Sequence, residues 1–99
     1  MANAYITEYA GLARDVFNYH VAAGTEPAVD EQKVTFTTTT ASSAFNEQTR
    51  FVMIHVDAIA HLAFGDDPEA TTGAHRMAAN ETRFYGVNPG QKVAFVTGS

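Results

Sequence analysis

His55, Asp57, His61, Asp66 and Asp67 fall within thirteen positions of the stretch RFVMIHVDAIAHLAFGDDP, Arg50 to Pro68. Imidazole nitrogens and carboxylate oxygens are the donors of zinc and related divalent-metal sites. A catalytic zinc takes three protein ligands and keeps one position open. Two histidines therefore need a third donor, either Asp57 or a distant residue such as His75. The spacing H-x5-H also lacks the H-x-H pair of the cupin metal motif.

The elements that carry these residues decide whether they can meet. From Val52 to Phe64 every even position is apolar: Val52, Ile54, Val56, Ala58, Ala60, Leu62 and Phe64. Strand side chains alternate between faces, so this row faces a core and both histidines face away from it. In one long strand, six residues at ~3.3 Å each separate His55 from His61 by about 20 Å, too far for one ion. In a hairpin with loop Asp57 to Ile59 the two histidines face each other, with Ile54 opposite Leu62 and Val52 opposite Phe64. A three-residue loop usually wants a left-handed residue last, and the β-branched Ile59 resists that conformation. The reading preferred here makes His55 and His61 outer-face residues, with no metal assigned. If that face meets another subunit, adjacent histidines would make the contact pH-sensitive.

Other chemistry is sparse. GDDPEAT holds Asp66, Asp67 and Glu69 but not the alternating oxygens of a calcium loop. Ser42, Ser43 and Ser99 lack a nucleophile-elbow setting, and no glycine run precedes a helix to cradle phosphate. There are no cysteines, which excludes disulfides, thiolate nucleophiles and thiol-ligated zinc together. Six bases, scattered singly, against eleven acids give a net charge of −5 and argue against a nucleic-acid surface. MANAYITEYA has no basic n-region or apolar core, so no secretory leader is expected, and no apolar run is long enough to span a membrane. Neither a catalytic residue nor a cofactor is expected.

Ninety-nine residues, 45% of them hydrophobic, make one domain spanning 1–99. KVTFTTTT, RFVMIHV, AHLAF, AHRMAA, RFYGV and KVAFVTG read as short strands, which predicts an all-β fold: a small antiparallel β-sandwich or a jelly-roll-like barrel. Pro89 and Gly90 suit the centre of a type II turn. A hairpin closed there pairs Phe84 with Phe95 on the core side and Tyr85 with Ala94 on the other. The N-terminal third is open to two readings. Tyr5, Tyr9, Leu12, Val16 and His20 recur at helical spacing, while AYITEY and YHVAA read as strands around LARDVFN. Residues 1–30 are a candidate extended arm. Aromatic residues near strand ends and loops suggest a contact surface: Tyr5, Tyr9, Phe17, Tyr19 and Tyr85, with His55 and His61 as further interface candidates.

From Arg50 to Val96, including AHLAFG, PEAT and FYGVNPGQKVAFV, the chain resembles small tailed-bacteriophage virion proteins of the capsid decoration, or cement, type. AYITEYAGLA and AAGTEPA resemble their N-terminal region. The resemblance covers nearly the whole chain and rests on turn and core residues. It implies a structural protein on the capsid surface of a virion, bound to the major capsid protein, commonly as a homotrimer, without nucleic acid or membrane. It tips the N-terminal third towards extended strands, although DVFNYH departs from the glycine-containing turn expected there. The competing readings are a head–tail connector or tail component, and a small metal- or ligand-binding β-barrel.

Overall fold

The alternating apolar rows find each other across a sandwich. A computed structural model describes residues 2–24, 26–73 and 75–98, with 20–23 described through their backbone. Among these residues the chain is all strand, turn and bend, with no helix. In chain order the strands are β1 (Ala2–Tyr9), β2 (Leu12–Arg14), β3 (His20–Gly24), β4 (Asp30–Phe36), β5 (Thr40–Ala41), β6 (Phe51–Val56), β7 (Ala60–Gly65), β8 (His75–Met77), β9 (Thr82–Gly86) and β10 (Lys92–Thr97). One antiparallel sheet has the order β4-β1-β6-β9 and the second β5-β10-β7-β8, while β2 and β3 form a separate two-stranded ribbon. The edges stay open, so the fold is a β-sandwich and not a closed barrel.

The core is the set of inward rows. Ala2, Ala4 and Ile6 of β1, Val34 and Phe36 of β4, and Val52, Ile54 and Val56 of β6 face Leu62, Met77, Val93 and Phe95 of the second sheet. Phe36 and Phe95 stack across the sheets with ring centroids 5.3 Å apart. Phe45, from the segment between β5 and β6, closes one side of this cluster.

The hairpin expected at Pro89–Gly90 and the hairpin alternative at Asp57–Ile59 are both replaced by sheet-to-sheet crossings. β6 pairs with β1 and β9, β7 pairs with β10 and β8, and Asp57–Ile59 carries the chain from one sheet to the other. The reason is the apolar row itself. A flat hairpin would put Val52, Ile54, Leu62 and Phe64 on one face with nothing opposite, whereas a crossing sets the two halves against each other. The turn at Pro89–Gly90 does form: Gly90 has φ 81° and Gln91 N–H donates to Asn88 O at 3.3 Å. It also crosses between sheets. Phe95 therefore pairs with Leu62 and Thr40, while Phe84 pairs with Met53 and points outward. KVTFTTTT stops as a strand at Phe36, and a turn precedes the two-residue β5.

The crossing is tied to β1 at its start. Asp57 accepts from the Asn3 N–H at 2.7 Å and from the Asn3 side-chain amide at 3.1 Å. These donors, the backbone N–H first, hold its carboxyl below the usual range. A folded-state value below the unfolded one stabilises the fold at pH above the unfolded value, ~3.9. That contribution disappears as pH falls through the lower folded value. Asp57→Asn does not titrate, so the stability gap between wild type and variant should narrow below about pH 4. Urea midpoints measured from pH 7 to pH 2 check this, and a constant gap would contradict it.

A second tie is internal. Glu8 continues the inward row of β1 and is fully buried. Its carboxylate accepts from Thr49 Oγ1 at 2.8 Å, Asn46 N–H at 2.9 Å and Gln32 Nε2 at 2.9 Å. It pins the segment before β6 to β1 and β4. Glu8→Ala strands these donors and should cost about 3 kcal/mol, because each buried unsatisfied group costs ~1–3 kcal/mol. Glu8→Gln keeps one acceptor and should cost less. Urea unfolding of both variants gives the order.

Candidate functional site

The N-terminal third is extended, as the strand reading expects, and its parts serve different ends. β1 lies inside the first sheet, between β4 and β6. β2 and β3 pair only with each other and lead to the turn at Asp15–Tyr19. The eight residues of β1, the longest strand, span about 26 Å at ~3.3 Å each. Neither β2 nor β3 joins the four-stranded sheets, and the longest principal extent of the molecule is 44 Å.

The turn is built without glycine. Asn18 N–H donates to Asp15 O at 3.0 Å, and Asp15 N–H donates to Tyr19 O at 2.9 Å. This is the three-residue hairpin loop whose last residue must be left-handed. Asn18 takes that place with φ 68°, a conformation asparagine tolerates better than other non-glycine residues. Asp15 Oδ1 accepts from the Phe17 and Tyr19 N–H groups at 2.9 and 3.1 Å. The departure of DVFNYH from a glycine turn is thus met by an Asp–Asn pair doing the same geometric work.

What this turn holds out is apolar. Val16 is 90% exposed, Phe17 75% and Tyr19 71%, with Leu12 exposed at the base. Three large side chains are thus held in water by a hydrogen-bonded turn, an arrangement that would lose little ordering entropy on docking. The ribbon's root is fixed as well. Tyr9 is buried against Gly24, where a Cβ would overlap its ring. Its hydroxyl donates to Glu26 Oε2 at 2.8 Å. That bond, with burial, raises the Tyr9 pKa above the ordinary tyrosine value.

The remaining candidates are dispersed. Tyr5 and His55 are neighbours on the outer face of the first sheet, ring centroids 6.3 Å apart, and His55 Nδ1 lies 2.8 Å from Thr82 Oγ1. His61 belongs to the second sheet, buried beneath Gly98, so the pairing that would have set the two histidines on one ion does not form. His75 stands on β8, accepting from Arg83 Nη1 at 3.2 Å, and Tyr85 is half-buried with its ring 5.3 Å from that imidazole. Among the described residues no three His, Asp or Glu side chains gather as a metal-holding group. Of the residues singled out from sequence, only Phe17 and Tyr19 come together at the tip. Val16, the most exposed large apolar residue described, fits the helical stripe of the sequence equally well; its place between Asp15 and Asn18 is the signal of a turn.

Comparison with protein-family models, with characterised proteins and with solved structures finds no match for this chain.

Asn18→Gly should leave the tip ordered, whereas Asn18→Val should loosen it, because a β-branched residue resists φ near 68°. Backbone order parameters at 15–19 measured by NMR relaxation check this. Equal order in both variants would refute the left-handed requirement.

Proposed function

We propose that the protein is a structural component of a virion, of the capsid decoration type, which docks on an assembled protein shell through the β2–β3 hairpin tip. The observation that carries this reading is the apolar tip, Val16, Phe17 and Tyr19, held in solvent by the Asp15–Asn18 turn. The sequence resemblance to phage decoration proteins supplies the shell, and with it the major capsid protein as partner and the capsid surface as location. The chemistry required is modest. A β-sandwich gives a rigid body, and the tip gives an anchor for an apolar cleft between shell subunits. Binding the assembled shell and not its free subunits stabilises the shell by mass action. No catalytic step belongs to this role.

An aromatic anchor at the centre of a contact is typically worth ~2 kcal/mol or more, about a 30-fold change in affinity. Phe17→Ser should therefore weaken binding to shells stripped of the protein by roughly that factor, while leaving the sandwich folded. Co-sedimentation with stripped shells measures it. Copy number gives an independent check: the reading requires many copies per particle on the outer shell. A handful confined to the portal or tail would replace it with a connector role.

A further inference from the structure

Alternation leaves one outer face on each sheet, and the chain treats the two differently. On the second sheet the outward residues include Ala63 and Ala94, and the loop after β7 crosses over them. Ala70 of that loop is buried, and its N–H donates at 3.0 Å to Thr39 Oγ1, beside β5 on the far side of β10. Ala94, in between, is fully buried. On the first sheet the outward rows are mixed: Asn3, Thr7, Glu31, Lys33, Thr35 and Thr82 are polar, while Tyr5 and Phe84 stay 43% and 54% exposed. An antiparallel sheet with one solvated face normally turns polar side chains outward, and Tyr5, Met53 and Phe84 depart from that pattern on this face.

Two features of the face say what fits it. The first is charge: on β4, Lys33 lies beside Tyr5 and Glu31 lies beside Thr7, one opposite charge per row. The second is shape: an open depression of about 370 Å³ runs along β1 and β4, with Tyr5 and Lys33 at one end and Thr7 and Glu31 at the other.

We propose that this face is the contact of a symmetric dimer whose second member is another copy of this chain. A two-fold axis lying across the strands, between the two rows, exchanges them. Lys33 then meets Glu31 of the second copy, and Glu31 meets its Lys33. Tyr5 is carried over the short Thr7 of the second copy, so each ring enters the other's depression. On β6, His55 and Met53 exchange in the same way, and on β9 so do Thr82 and Phe84. Such a contact is isologous, with every pairing made twice. The ribbon root over Tyr9 limits it to these rows, fewer than the ~20–30 residues per side of a standard interface. The dimer is therefore weak and concentration-dependent. Its existence does not depend on what the tips bind.

Sedimentation velocity on the full chain from about 1 μM to 1 mM tests the proposal. Wild type should pass from monomer to dimer across this range. Lys33→Glu and Glu31→Lys should each raise the dimer dissociation constant at least tenfold by facing like charges, and the double exchange should restore it. Thr7→Arg, which fills the depression, should abolish the dimer, while Phe17→Ser should leave it unchanged. Circular dichroism confirms that each variant is folded. A wild type that stays monomeric or forms trimers, single reversals that leave the dimer intact, or a folded double exchange that stays monomeric would each overturn the proposal.

Discussion

The two apolar strands on either side of Asp57–Ile59 must face each other, and the rest of the sandwich follows from that. Val52, Ile54 and Val56 belong to one sheet, and Ala60 and Leu62 to the other. Burying each such side chain is worth ~1.5–3 kcal/mol, more than the ~0.2–1 kcal/mol of a cross-strand pair on one face. The short loop therefore crosses the core. Once it does, β6 and β7 must take hydrogen-bonding partners from elsewhere in the chain, and β1, β9, β10 and β8 supply them. The second short connection, at Pro89–Gly90, crosses for the same reason, bringing Phe95 against Phe36.

A fold of crossings has few local hairpins to hold its ends, and polar ties do that work. Asp57 binds Asn3 where the chain leaves the first sheet. Glu8 gathers donors from β4 and from the segment before β6, in a position where alternation asked for an apolar residue. A buried carboxylate is tolerable because three donors meet it. At the opposite seam the contacts are looser. Arg83 pairs with Glu81 at 2.9 Å in a partly exposed setting, and such pairs add little stability. The seam there depends more on the Tyr85 ring, packed 5.1 Å from Phe64.

The sequence was legible where one face of a strand is clearly apolar. The parity of the 52–64 row gave β6, β7 and the inward side chains from Val52 to Leu62, but Phe64, read as the end of the same row, stays 37% exposed outside the core cluster. Pairing was not legible, because both crossings use loops short enough for hairpins; Ile59 spoke against the first, and the demand for an opposing apolar face decides both. The same ambiguity sent Phe84 to the core on paper, one residue out of phase with Tyr85. In the N-terminal third, helical spacing of Tyr5, Tyr9, Leu12 and Val16 competed with the strand reading. The structure shows why it misled: these residues serve three unlike places, an outer face, a packed ribbon root and an exposed tip. Glu8 was invisible as a core residue, since its three donors are spread across the chain.

The placement of apolar surface after folding is the strongest lead to function. The chain has the means to cover a sheet face, and it does so on the second sheet with small residues and a crossing loop. It also has the means to keep a turn polar, since Asp15 and Asn18 already form one. Yet Val16 and Phe17 occupy that turn, and Tyr5, Met53 and Phe84 share the face left open. Neither set contributes to the core cluster, so stability of the isolated chain does not call for them. Their exposure in water is unfavourable, and the turn that holds the tip in place is one that would lose little on docking. Surface of this kind is what a partner would cover, and the two proposed contacts, a narrow tip and a broad face, would cover it with different geometries.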